Sequence, residues 1–212
     1  MTDVNLWPSA AHALDYLSKA DSLPHRTEGE SELLRCLPSP PSPIRVLDLG
    51  SGDGRLLSLV KHTRPNAIGV ALDFSQTMIE RLRSRFAGDS SVEVIAHDLD
   101  NPLPVSLGTF DAIVSSFAIH HVTDRRKRTL YEEAHALLNR GGVFCNLEHV
   151  SSPTLTLHHQ FLAAISYRPE DEDPSNKLLD VETQLAWLRE IGFQDVDCLW
   201  KWRELALLAG RR

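Results

Sequence analysis

Residues 46–55 read Val46-Leu47-Asp48-Leu49-Gly50-Ser51-Gly52-Asp53-Gly54-Arg55. Aliphatic side chains run into a turn in which every second residue is glycine, with an acid just ahead of it. Glycine has no Cβ and tolerates positive φ, so such a turn lets main chain approach a ligand closely. A helix that starts after the turn adds unpaired N–H groups and the positive end of its dipole. The run predicts a strand, a tight turn and a helix at the ligand end of an α/β sheet, which is a nucleotide-type cofactor site.

On either side of this run the pattern alternates. Strands are expected at 44–49, 67–72, 92–96, 110–115 and 143–147, with helices at 55–62, 75–86 and 124–138. Ser75 stands where an N-cap belongs, with Met78, Ile79 and Leu82 on the buried face of its helix. Gly141-Gly142 is expected to close the third helix. Strands alternating with helices imply a parallel sheet covered on both faces. Beyond them, helices at 152–165 and 181–191 flank an acidic loop at 167–180, and short strands follow at 196–200 and 205–209.

Ahead of the sheet, Leu6, Trp7, Ala10, Ala13, Leu14 and Leu17 fall near helical spacing, with Pro8 at the helix start. Thr27-Glu28-Gly29-Glu30 has the form of a capping box for a second helix reaching about Leu37. Pro38-Ser39-Pro40-Pro41-Ser42-Pro43 reads as a stiff connector. The expected organisation is a helical N-terminal lid with its connector over 1–43, then one α/β domain over 44–212 with a helical insert near 152–180.

At 212 residues the chain is long enough for one α/β domain with a buried core. Its 22 basic and 29 acidic residues give a net charge of −7, which argues against nucleic acid as the main partner. Cys36, Cys145 and Cys198 are scattered and odd in number, so neither a disulfide frame nor a zinc site is expected. The N-terminus does not read as a secretion signal, and no apolar run approaches the ~18 residues of a membrane span. A cytoplasmic protein without a membrane partner, monomer or homodimer, is the expectation.

A dinucleotide fingerprint reads G-x-G-x-x-G; here the third glycine comes one position early. Asp48, within the strand end, suits a cationic amino group rather than a pyrophosphate. The run resembles motif I of the class I S-adenosylmethionine (SAM) methyltransferases, whose D-x-G-x-G-x-G pattern it matches in full. The second expected strand ends in Asp73, and an acid there can accept from both ribose hydroxyls. The third ends in His97-Asp98-Leu99, and residues 110–117 match the family's motif IV. The resemblance covers about residues 44–150. It implies a Rossmann-like sheet of order 3-2-1-4-5-7-6 with an antiparallel last strand, SAM as cofactor and S-adenosylhomocysteine as product.

By the same resemblance, Asp48, Gly50, Ser51 and Gly52 hold the methionine end, and Ser115, Ser116 and Phe117 lie beneath it. Asp98 accepts from the adenine amino group with Leu99 beside the ring, and Phe74 and Met78 wall that pocket. In the lid, Arg26 is the candidate partner of the methionine carboxylate, with Tyr16 closing over it; solvated surface is the alternative for both. The segment 181–193 is similar to the ending of carboxy-SAM synthases, in which an arginine of this helix holds the extra carboxylate of the product. Trp187 stands at that place here and cannot pair with a carboxylate, which implies ordinary SAM.

His120 and His121 follow the fourth strand, where the transferable methyl should point, and His149 follows the fifth. An imidazole can deprotonate an acceptor at neutral pH; packing against the sheet and helix capping are the alternatives. With Glu148, His158 and His159 the histidines supply residue types that iron, zinc or manganese accept. No ligand pair at i, i+4 supports a metal, and none is expected. Arg125-Arg126-Lys127-Arg128 reads as a solvated helix face capped by Asp124, with an RNA patch as the alternative. The functional expectation is methyl transfer from SAM to an oxygen or nitrogen of a small-molecule acceptor. The alternatives are a SAM-using lyase, cyclase or metal-assisted enzyme, and a non-catalytic SAM-binding protein.

Overall fold

A computed structural model describes residues 6–20, 22–39 and 43–212; Pro40, Pro41 and Ser42 of the proline connector lie outside the described residues. In chain order the elements are α1 (Ala10–Ala20), α2 (Arg26–Cys36), β1 (Arg45–Leu49), α3 (Arg55–Thr63), β2 (Ile68–Asp73), α4 (Gln76–Arg85), β3 (Val92–Ala96) and β4 (Phe110–Ser116). There follow α5 (Asp124–Leu137), β5 (Leu138–His149), α6 (Leu155–Ala164), α7 (Val181–Ile191), β6 (Gln194–Trp202) and β7 (Leu205–Arg211). The seven strands form one sheet in the order β3-β2-β1-β4-β5-β7-β6. Strands β1 to β5 pair in parallel, and β7 runs antiparallel to both β5 and β6. Order and direction match the expected Rossmann-like topology.

The alternation of β1 explains its central place. Leu47 and Leu49 point into a core with Ile113, Tyr131 and Leu188, beneath α5 and α7. Val46 points the other way, into a core with Leu33, Val60 and Phe161. A strand covered on both faces has to be apolar at nearly every position, and Asp48 is the exception. Helix α2 belongs to the second core: Leu33 and Leu37 are buried against the sheet. Gly29 permits that approach, since a Cβ there would stand 2.7 Å from Leu147 Cδ1.

Several local expectations are corrected. Thr27 lies inside α2, whose N-cap is His25 with no side-chain capping bond. The carboxylate of Glu30 turns away from a capping box to accept from Arg26 and Arg55. Ser75 is at the N-cap of α4, but its hydroxyl does not cap; its N–H instead donates to Asp73 Oδ1. Gly141 and Gly142 do not close α5: they lie in β5, where the register against β4 shifts between Phe110 and Ala112. Thr123, not Asp124, caps α5 by accepting from Arg126 N. The basic run on α5 is only partly a solvated face. Lys127 is 1% exposed and donates to Val122 O and Asp124, while Arg126 clamps Leu99 O and Glu133.

Leu33→Ala is expected to lower the unfolding free energy by about 2–5 kcal/mol, read from urea denaturation. A loss below about 1 kcal/mol would show that α2 stands outside the cooperative core.

Candidate functional site

The C-terminal tips of β1, β2, β3 and β4 open onto one cavity of about 490 Å³, closed from the other side by residues of α1, α2 and the loop before α7. Of the residues singled out from sequence, Tyr16, Arg26, Asp48, Gly50, Ser51, Gly52, Asp73, Phe74, Met78, Asp98, Leu99, Ser116, Phe117 and His121 line it. Ser115, His120 and His149 do not.

The glycine turn makes its shape possible. Gly50 and Gly52 have φ of 66° and 57°, a region that side chains resist. A Cβ on Gly50 would stand 2.3 Å from Ala118 Cβ, whereas one on Gly52 would meet no protein atom within 4 Å. The turn is tied down by Ser51, whose N–H donates to Leu72 O at 2.8 Å and whose hydroxyl donates to Asp48 O at 2.9 Å. Gly52 N donates to Asp73 Oδ2 at 2.8 Å, joining the tips of β1 and β2.

Two buried acids face this cavity. Among the described residues neither carboxylate oxygen of Asp48 has a hydrogen-bond partner. Burial, reinforced by the neighbouring Asp73, pushes the Asp48 carboxyl up to about 7. Burial also raises Asp73, to about 6, against the pull of its backbone N–H donors. Buried carboxyls without a cation are costly when ionised, so the site is electrostatically complete only with a positive ligand group present. On the opposite rim, Glu30 accepts from Arg26 at 3.0 Å and from Arg55 at 2.7 Å. Both guanidiniums thus share one carboxylate at the rim of the cavity. Arg26 also lies over the Phe117 ring, 5.4 Å from its centroid. Phe117 has φ of 54°, a strained conformation for an aromatic residue at the tip of β4.

At the far end, Asp98 Oδ1 accepts from Asp100 N at 3.0 Å, which shapes the turn after β3. The Nε2 atom of His97 and the hydroxyl of Ser116 are buried without hydrogen-bond partners among the described residues. Both residues line the cavity, so a ligand there meets further polar atoms. Ser115, by contrast, is fully buried and donates to Leu49 O at 2.9 Å, stapling β4 to β1.

The histidines separate by partner. His120 Nδ1 lies 2.5 Å from Glu148 Oε1. Burial lowers His120 well below its usual value and raises Glu148 to about 7, which drives the pair toward its neutral form. His149 and His158 both contact the buried Glu204, at 3.1 and 3.0 Å. Among the described residues no group of three or more His, Cys, Asp and Glu side chains is arranged to hold a metal. His121 alone of the three candidates reaches the cavity, with Nδ1 3.0 Å from Ser175 Oγ.

Sequence reading missed Trp7, His97, Ser175 and Lys177 as cavity residues. Ser175 sits in a turn whose Asp173-Pro174-Ser175 sequence is legible as a turn. Its docking on a residue 54 positions earlier is not. Trp187, on α7, packs against the sheet core with the Arg128 guanidinium over its ring, and does not line the cavity.

Residues 46–142 match a family described as a methyltransferase domain. The chain is 32% identical to a ubiquinone/menaquinone biosynthesis C-methyltransferase of Geobacter, over 72% of its own length and 71% of the relative's. It is 24% identical to a carboxy-S-adenosyl-L-methionine synthase of Helicobacter hepaticus, over 79% and 75% of the two chains. The first curated relatives are spanned over about two thirds to three quarters of their length. The fold is shared with human N-acetylserotonin methyltransferase, solved in complex with SAM, at 17% identity and a TM-score of 0.67, covering 98% of this chain and 57% of that one.

The residues fit SAM: an ammonium and a sulfonium are the positive groups that the orphaned Asp48 carboxyl lacks, and Gly52 leaves the space open. Because the folded Asp48 carboxyl titrates near 7, above the ordinary 3.8, the folded state binds the extra proton between those values. Its contribution to stability is present below pH 4 and lost as pH rises through 7. Asp48→Asn is therefore expected to raise the unfolding free energy of the ligand-free protein at pH 8 and to flatten its fall between pH 5 and 8. The same change should weaken SAM binding about tenfold or more, by calorimetry. Ser115→Ala should cost about 1 kcal/mol of stability and leave SAM affinity unchanged.

Proposed function

We propose that this chain, which belongs to the class I S-adenosylmethionine-dependent methyltransferases, methylates an oxygen or nitrogen atom of a small-molecule acceptor, with His121 taking the acceptor's proton. The cofactor is SAM, which when bound supplies an electrophilic sulfonium methyl and departs as S-adenosylhomocysteine. The observation that carries the reading is the place of His121, at the cavity wall just past the tip of β4, beside Ser116 and Phe117.

In this reading Asp48 neutralises the amino group of the methionine end, and the Arg26–Glu30–Arg55 cluster its carboxylate. Asp73 accepts from the ribose hydroxyls through lone pairs its backbone donors leave available. Asp98, Leu99, Phe74 and Met78 form the adenine end. Tyr16 and Trp7, whose rings pack edge to face at 5.1 Å, are the lid that excludes water. Burial, with His120 alongside, holds His121 well below its ordinary pKa. Its imidazole is therefore neutral at physiological pH and ready to accept a proton. A phenol-like hydroxyl fits this site, because its oxygen becomes a strong nucleophile once the proton is removed. In-line positioning then supplies much of the acceleration.

A second reading, transfer to carbon, is favoured by the Geobacter relative, which is named a C-methyltransferase. A phenolate is nucleophilic at its ring carbons too, so the same base would serve. Methyl-labelled SAM incubated with a metabolite extract and the enzyme is expected to give one labelled product. The methyl carbon shift of that product separates attachment to oxygen or nitrogen from attachment to carbon. His121→Gln should lower kcat by about 10²–10⁴ without changing SAM affinity. Label released in a fragment of the cofactor would replace this reading with a lyase.

A further inference from the structure

The loop between α6 and α7 carries a hydrogen-bond chain that ends on His121. Asp173 Oδ1 accepts from the Ser175 N–H at 2.8 Å and from the Ser175 hydroxyl at 2.7 Å. The same hydroxyl oxygen lies 3.0 Å from His121 Nδ1. Ser175 is buried, at 3% exposure. The other oxygen of Asp173, Oδ2, lies 3.1 Å from His12 Nε2 on α1. Lys177 holds the segment in place: its N–H donates to His120 O at 2.8 Å and its Nζ to His121 O at 2.7 Å.

Proton counting makes this chain directional. Burial alone would raise the Asp173 carboxyl, but the two bonds from Ser175 hold it below the usual carboxylate range. It is ionised and can only accept. A serine hydroxyl has one proton, and that proton goes to Asp173. The oxygen is left as an acceptor, so His121 Nδ1 must be the donor. A neutral imidazole has a single N–H, which leaves the lone pair on Nε2, an atom with no hydrogen-bond partner among the described residues. The groups facing the ring are His120, tilted against it at 4.1 Å, Trp7 at 5.1 Å, Ser175 with Asp173, and Glu148 behind His120.

We propose that Ser175 and Asp173 are positioning residues that lock His121 in the Nδ1–H tautomer, so that Nε2 is the atom presented to the acceptor. The proposal rests on the reading of His121 as proton acceptor. As the acceptor–methyl bond forms and the methyl–sulfur bond breaks with its electron pair left on sulfur, the acceptor's proton moves to Nε2. The imidazolium keeps its Nδ1–H on Ser175, is stabilised by the Asp173 charge beyond it, and returns the proton to water after product release. Helix α1 lies beside the same carboxylate, with His12 Nε2 3.1 Å from Oδ2.

The test is long-range ¹⁵N–¹H NMR of the full chain with ring-labelled histidine at pH 7.5. The expected result for His121 is a protonated Nδ1 and a pyridine-type Nε2. Ser175→Ala should shift His121 toward the Nε2–H form and lower kcat by about 10²-fold, with KM and SAM affinity unchanged. Ser175→Thr, which keeps the hydroxyl, should restore both the tautomer and the rate, which a merely structural loss would not allow. A wild-type Nε2–H tautomer, or an unchanged tautomer in Ser175→Ala, overturns the relay even if His121→Gln is inactive. Full activity in His121→Gln overturns the underlying base reading even if the NMR result is as expected.

Discussion

Two carboxyl groups buried side by side with no cation of the described chain paired to either are the constraint around which the molecule is arranged. Asp48 interrupts an otherwise apolar central strand, and Asp73 ends the neighbouring one. Ionised together in a dry protein they would repel and lose hydration. The fold tolerates them because the Gly52 and Ser75 N–H groups hold Asp73 and because the cavity in front of both can receive a positive ligand. Stability is thereby exchanged for a site that is complete only when filled, a common pattern where residues bind rather than pack.

The scaffold that carries these acids is ordinary in its physics. Period-two alternation along β1 feeds two cores, and the helices on each face close them. The N-terminal helices differ from each other in this respect. Helix α2 is wedged into the second core, where Gly29 permits close contact with Leu147 and Trp200. Helix α1 instead contributes Tyr16 and Leu17 to the cavity wall, and meets the loop before α7 through His12 and Asp173.

The histidines show how partners decide roles. His120, His149 and His158 share residue type and neighbourhood with His121. Each of the three is held by a buried or half-buried carboxyl of Glu148, Glu204 or Glu172. Those bonds fix the three rings, and none of the three lines the cavity. His121 lines the cavity and meets a serine instead, which can accept as well as donate, and it keeps a ring nitrogen without a hydrogen-bond partner among the described residues.

The amino-acid sequence by itself determined the strands and the glycine turn; the strand order came only as what the family resemblance implies. It also determined the placing of Asp48, Asp73 and Asp98 at strand ends, because period-two alternation, glycine conformation and motif spacing are local properties carried in consecutive residues. It misjudged Thr27-Glu30, Gly141-Gly142 and Asp124, where the local pattern fits a cap but tertiary partners claim the side chain or extend the strand. What only the tertiary structure decided is which buried polar groups meet: Glu30 with Arg55, Glu148 with His120, Glu204 with His149, and Ser175 with His121. Those pairs join residues 25 to 55 positions apart. Their geometry is set by packing of separate elements, and spacing along one chain holds no record of it.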